Sequence, residues 1–120
     1  MKKIMILPII VIFICLCGCN MKKNVIGTWE REFVPIKLNN IRSVDTYTFK
    51  SDGTCIEYLK GYYIDTGKEE SVQKYNYKWS IRGNKLILID QDNEDEGELE
   101  YELIIGNNVI YIEGDKYIKQ

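Results

Sequence analysis

The sequence predicts an all-β fold, a small antiparallel up-and-down barrel of about eight strands that follows an N-terminal signal peptide. Three observations carry this reading. Two segments alternate apolar and polar residues with a period of two, the pattern of a half-buried antiparallel strand. Short turn signals separate runs of strand length: Asp52-Gly53, Gly83-Asn84, Gly106-Asn107 and Gly114-Asp115. The composition adds 9 Tyr against 2 Pro, with Gly spread through the chain, a balance that favours strands.

The first segment is an address. Met1-Lys2-Lys3 is a positively charged start, and residues 4–17 form an apolar run. That run is shorter than the about 20 residues a spanning helix needs. Pro8, and the small Gly18 ahead of a polar break, fit a secretory signal peptide over residues 1–18. Residues 19–24 read as a short polar tether, and residues 25–120 as one domain.

Within the domain, VIGTWEREF (25–33) reads as a first strand. FVPIKLNNIR breaks it with a Pro and an Asn pair and reads as a loop. SVDTYTFK and TCIEYLK form a hairpin about Asp52-Gly53, the second arm running on into GYYI. On that arm Ile56, Tyr58, Tyr62 and Ile64 suggest the inward face, which places Cys55, Glu57 and Leu59 outward. SVQKYNYKWSIR has the clearest period, with Tyr75, Tyr77, Trp79 and Ile81 on one face. KLILID is apolar on both faces. GELEYELII alternates Leu99, Tyr101, Leu103 and Ile105 with Glu98, Glu100 and Glu102, and VIYIE and KYIK complete the meander. Such a meander leaves two open edges unless it closes on itself.

Composition excludes several functions. The formal net charge is −2, with 16 Lys+Arg and 18 Asp+Glu, so no basic footprint for nucleic acid is present. The chain has no His, which removes the commonest general base and a favoured metal ligand. No nucleophile–base arrangement or phosphate loop is evident, so the expectation is a protein that is not an enzyme and carries no metal or cofactor. The acidic run from Asp90 lacks calcium-loop spacing: its sixth position is Asp95 and its twelfth Tyr101, where an EF-hand needs Gly and Glu. It reads as a solvated loop and strand face.

Three cysteines crowd the N-terminus, Cys15, Cys17 and Cys19, and one follows, Cys55. Leu16-Cys17-Gly18-Cys19 resembles a bacterial lipobox. The resemblance implies cleavage after Gly18 and a diacylglyceryl thioether on Cys19, with acyl chains such as palmitate holding the chain on the extracytoplasmic side of the cell membrane. An uncleaved membrane anchor is the alternative. A metal site is the poorer reading, since no His and only the distant Cys55 could complete it. Cys55 then has no partner within the mature chain and reads as a small strand residue in a monomer.

Gly27-Thr28-Trp29 on the first strand resembles the G-x-W signature of lipocalins. TYTFKSDGT followed by YKWSIRGNKLILID resembles the small lipocalin-like domains found on bacterial lipoproteins. This resemblance implies that Trp29 plugs the closed end of the barrel and that Gly27 lets the strand bend there. It also implies a lid at residues 34–42, where Val34, Ile36, Leu38 and Ile41 are apolar.

The inward aromatic set is Tyr47, Phe49, Tyr58, Tyr75, Tyr77 and Trp79. These six either line a pocket for a small apolar or amphipathic ligand, with Tyr hydroxyls as polar handles, or fill the core. The two readings give two functions. The first is a lipid-anchored binding protein. The second is an envelope interaction module with a solid core that binds a protein or glycan through its outer surface.

Overall fold

A computed structural model describes residues 21–35 and 40–120. The signal peptide, Cys19, and Ile36 and Leu38 of the expected lid lie outside the described residues. The chain forms β1 (Gly27–Phe33), β2 (Ile41–Phe49), β3 (Thr54–Tyr63), β4 (Glu69–Arg82), β5 (Lys85–Asp90), β6 (Glu98–Ile105), β7 (Val109–Ile112) and β8 (Asp115–Lys119). Each strand pairs antiparallel with the next, and β8 returns to β1, so the sheet closes in the order β1 to β8. Closure removes the free edges that an open meander would expose.

Residues 21–25 are helical, where the sequence suggests a polar tether over 21–24 and the start of the first strand at Val25. Val25 is fully buried, and its carbonyl accepts the indole N–H of Trp29 at 2.8 Å. This turn stoppers the end of the barrel that also carries the β2–β3, β4–β5 and β6–β7 turns. Gly27 follows with φ +135°, a conformation that side chains rarely adopt, and the Lys119 side chain packs close beside it. Lys119 Nζ lies 5.7 Å from the centroid of the Trp29 ring. At this closed end the core is dry: Trp29, Phe49, Cys55, Leu86, Leu88 and Ile110 are all fully buried.

The β2–β3 turn decides which side of β3 faces inward. A two-residue turn at Asp52-Gly53 would set Ile56 opposite Phe49. The turn is one residue longer: the Gly53 amide donates to the Lys50 carbonyl, Gly53 has φ +88°, and the Lys50 amide donates to Thr54. This is a type I turn followed by a left-handed Gly. Phe49 therefore pairs with Cys55, and Tyr47 with Glu57. Residues directly opposite share a face, so Cys55, Glu57 and Leu59 point inward. This corrects the expected register. Tyr58 lies on the outer face, where the ammonium groups of Lys60 and Lys74 sit 5.3 and 5.8 Å from its ring centroid.

Cys55 is 1 % exposed, and burial, then the charge of Glu57, pushes its thiol up. We expect a maleimide to reach Cys55 only after unfolding. Labelling of the native chain as fast as of the urea-unfolded chain would contradict this register.

The remaining faces follow the sequence pattern. Tyr75, Tyr77, Trp79 and Ile81 point inward from β4; Leu99, Tyr101, Leu103 and Ile105 point inward from β6. Ile87 faces outward from β5 yet is only 2 % exposed. An ion pair crosses β5 on that outer face: the two terminal guanidinium nitrogens of Arg82 on β4 donate to Glu98 on β6 at 3.2 Å.

Candidate functional site

Burial falls away toward the other end of the barrel, the mouth, which carries the 64–68, 91–97 and 113–114 turns. Between dry floor and open mouth, the interior holds two carboxylates. Asp45 projects from β2 and is 7 % exposed; Glu57 projects from β3 and is half-buried. Tyr47 pairs with Glu57 and Asp45 with Leu59, so the two acids are diagonal neighbours on one face.

Tyrosines surround the pair. The Tyr117 hydroxyl donates to Asp45 Oδ2 at 2.6 Å. The Tyr77 hydroxyl donates to Glu57 Oε1 at 3.0 Å. Tyr47 stacks edge-on to Tyr117, centroids 5.4 Å apart, and Tyr75 lies parallel to Tyr77 at 6.2 Å. Burial, then the charge of Glu57, pushes the Tyr47 and Tyr77 hydroxyls up; burial, then the hydrogen bond to Asp45, does so for Tyr117. All three stay neutral at physiological pH, and Tyr77 and Tyr117 act as donors.

The carboxylates cannot both be charged at low cost in this setting. Burial first, then the hydrogen bond and the charge of Asp45, push the Glu57 carboxyl up to about 8. Near neutral pH the Glu57 carboxyl therefore favours its protonated form. Asp45 Oδ1 is buried and has no hydrogen-bond partner among the described residues other than the proton that a neutral Glu57 can offer. A buried acceptor in this position favours a donor. Among the described residues no three His, Cys, Asp or Glu side chains converge as metal ligands would.

The six aromatic candidates divide by height. Phe49 and Trp79 belong to the floor, packed edge-on at 5.1 Å, with the Trp79 indole N–H on the Lys50 carbonyl. Tyr47 and Tyr77 stand at the carboxylates, Tyr75 nearer the mouth, and Tyr58 outside. Of the expected lid, Val34 is exposed and Ile41 is a buried residue of β2. The sequence reading missed Asp45 and Glu57. A signal for Asp45 existed, since it stands two residues before Tyr47 and four before Phe49 on the same face. Glu57 was hidden by the turn length. The surface clefts of ≈ 360 and ≈ 320 Å³ lie at the closed end and do not reach the carboxylates.

No protein-family model matches the chain, and no curated protein matches it. Among solved structures, the chain is similar to the crystal structure of a lipoprotein YedD from Klebsiella pneumoniae subsp. pneumoniae MGH 78578. The TM-score is 0.53 at 9% sequence identity, over 80% of this chain and 71% of that one. At that identity the likeness is one of fold.

Proposed function

We propose that the protein is a lipid-anchored envelope protein that holds a small amphipathic ligand in the barrel mouth. The ligand turns an ammonium or hydroxyl group toward Asp45 and Glu57 and lays its apolar part against Phe33, Leu59 and Leu99. One observation carries the reading: Asp45 Oδ1 is buried with no hydrogen-bond partner among the described residues but the proton of Glu57, an acid held neutral beside it. A ligand donor replaces the Glu57 proton at that oxygen. A purely apolar ligand would leave that oxygen to the Glu57 proton alone. Tyrosine faces around a cation add attraction. The role is binding rather than turnover. The anchor rests on the lipobox and Cys19, and the barrel likeness to a solved lipoprotein is compatible with it.

The outer-surface reading draws on the strip where Lys60 and Lys74 stack on Tyr58 and Arg42 stacks on Tyr62 at 5.0 Å. Exposed aromatic faces of this kind suit a glycan or a protein partner.

Native mass spectrometry of the full chain purified from its host membrane tests both. We expect acyl mass on Cys19 and a retained small molecule that Asp45→Asn loses and Tyr58→Ala keeps. A chain that carries no small molecule and takes up no long-chain amine overturns the mouth reading.

A further inference from the structure

Charge is divided along the barrel axis. The closed end carries Lys22 and Lys23 on the helical turn, Lys50 in the β2–β3 turn, Arg82 and Lys85 at the β4–β5 turn and Lys119 at the end of β8, against Asp52 and Glu102, the latter opposite Lys85. The mouth end is acidic: Asp92, Glu94, Asp95 and Glu96 crowd one loop, and Asp65, Glu69 and Glu70 another. At the closed end a cleft of ≈ 320 Å³ opens between the helical turn, the β6–β7 turn and β8. Lys23, Asn24, Asn107, Asn108 and Lys119 line it over the edge of Trp29. Two ammonium groups and three amides around one hollow suit an oxyanion such as a phosphate. Ile104 and Ile118, exposed at 57% and 44%, flank the same rim.

The anchor reading fixes what lies opposite this face. Only Asn20 separates Cys19 from Met21, the first described residue of the helical turn. Two residues span at most about 7 Å in any conformation, less than the diameter of the barrel. A thioether at the headgroup layer therefore holds the closed end against that layer, with no room to turn the mouth toward it.

We infer that the closed end of the barrel docks on anionic phospholipid headgroups, with a headgroup phosphate seated between Lys23 and Lys119. This inference rests on the lipid-anchor reading and adds an orientation: the basic floor meets the bilayer, and the acidic mouth with Asp45 and Glu57 faces away from it. Each lysine near an anionic surface gains attraction, and Ile104 and Ile118 enter the headgroup boundary beside them.

The test uses the full chain from its host membrane, placed in phosphatidylglycerol or in phosphatidylcholine vesicles. A short pulse of an amine-acetylating reagent is read lysine by lysine by mass spectrometry. In phosphatidylglycerol, Lys22, Lys23, Lys50 and Lys119 are expected to react about fivefold more slowly than in phosphatidylcholine, while Lys68 and Lys116 react alike in both. Lys23→Glu/Lys119→Glu is expected to remove the difference at Lys22 and Lys50; continued resistance of Cys55 to maleimide shows that this variant is folded. Equal rates in the two lipids overturn the docking whether or not Cys19 is acylated. Slow lysines on a chain whose Cys19 is bare leave the docking standing and remove the anchor.

Discussion

Trp29→Ala is expected to lower the unfolding free energy by about 3–5 kcal/mol, the usual loss for a large aromatic removed from a core. Trp29 is 1 % exposed and rests between the helical turn and the floor of the barrel. The substitution opens a cavity at the base of the core. It also leaves the buried Val25 carbonyl without the indole donor that now lies 2.8 Å away. Both effects fall on the same place, where the N-terminal turn is stapled to β1, so the turn should fray first. Trp29→Phe should fall between parent and Ala, because the ring keeps most of the volume and loses the hydrogen bond. Thr28 provides the control. It faces outward, with its hydroxyl 3.1 Å from that of Thr48, and Thr28→Ala should cost about 1 kcal/mol or less. Urea denaturation of the variants decides. Coincident midpoints for Trp29→Ala and Thr28→Ala would mean that Trp29 does not seal the barrel.

The barrel itself was legible because its evidence is periodic. On β4 and β6 every second residue is apolar over several repeats, and neither strand can slip by one position without turning its apolar set to water. Order and closure followed from turn signals and from the absence of a helical period. β3 was less legible. Both of its faces carry apolar residues, so the pattern of Ile56, Tyr58 and Tyr62 competes with that of Cys55 and Leu59, and composition does not separate them. The tie is broken by the Lys50–Thr54 turn, whose one additional residue comes from the conformation of Gly53. The sequence shows the glycine and not its φ. The candidate site was lost with that register, because Glu57 meets Asp45 only when β3 is turned the correct way. The helical turn at residues 21–25 was illegible for another reason. Its Lys and Asn residues read as solvated, and the single residue that anchors it, Val25, is fixed by the indole of Trp29 and not by any pattern of its own.

Glu57 should make the protein less stable as the pH rises, the reverse of what an ion-paired carboxylate does. In the folded chain its carboxyl is pushed up to about 8, first by burial and then by the hydrogen bond and charge of Asp45. In the unfolded chain it titrates near the ordinary value of about 4.3. Between these values the folded state holds a proton that the unfolded state has released. The stability this group contributes is therefore complete below about pH 4.3, falls as the pH rises toward about 8, and is gone above it. Because Glu57 is partly open to solvent, the expected loss is on the order of 2–3 kcal/mol and not the full value of the shift. Glu57→Gln keeps the shape, offers Asp45 Oδ1 an amide donor and cannot ionise. Its unfolding free energy, measured by urea denaturation from about pH 5 to about pH 9, should match the parent at the acidic end and exceed it at the alkaline end. Asp45→Asn should move the slope of the parent curve to lower pH, since it removes a neighbouring charge that holds the Glu57 proton. Parallel curves for parent and Glu57→Gln would show that Glu57 ionises at its ordinary value, and that the two acids in the barrel share no proton for a ligand to displace.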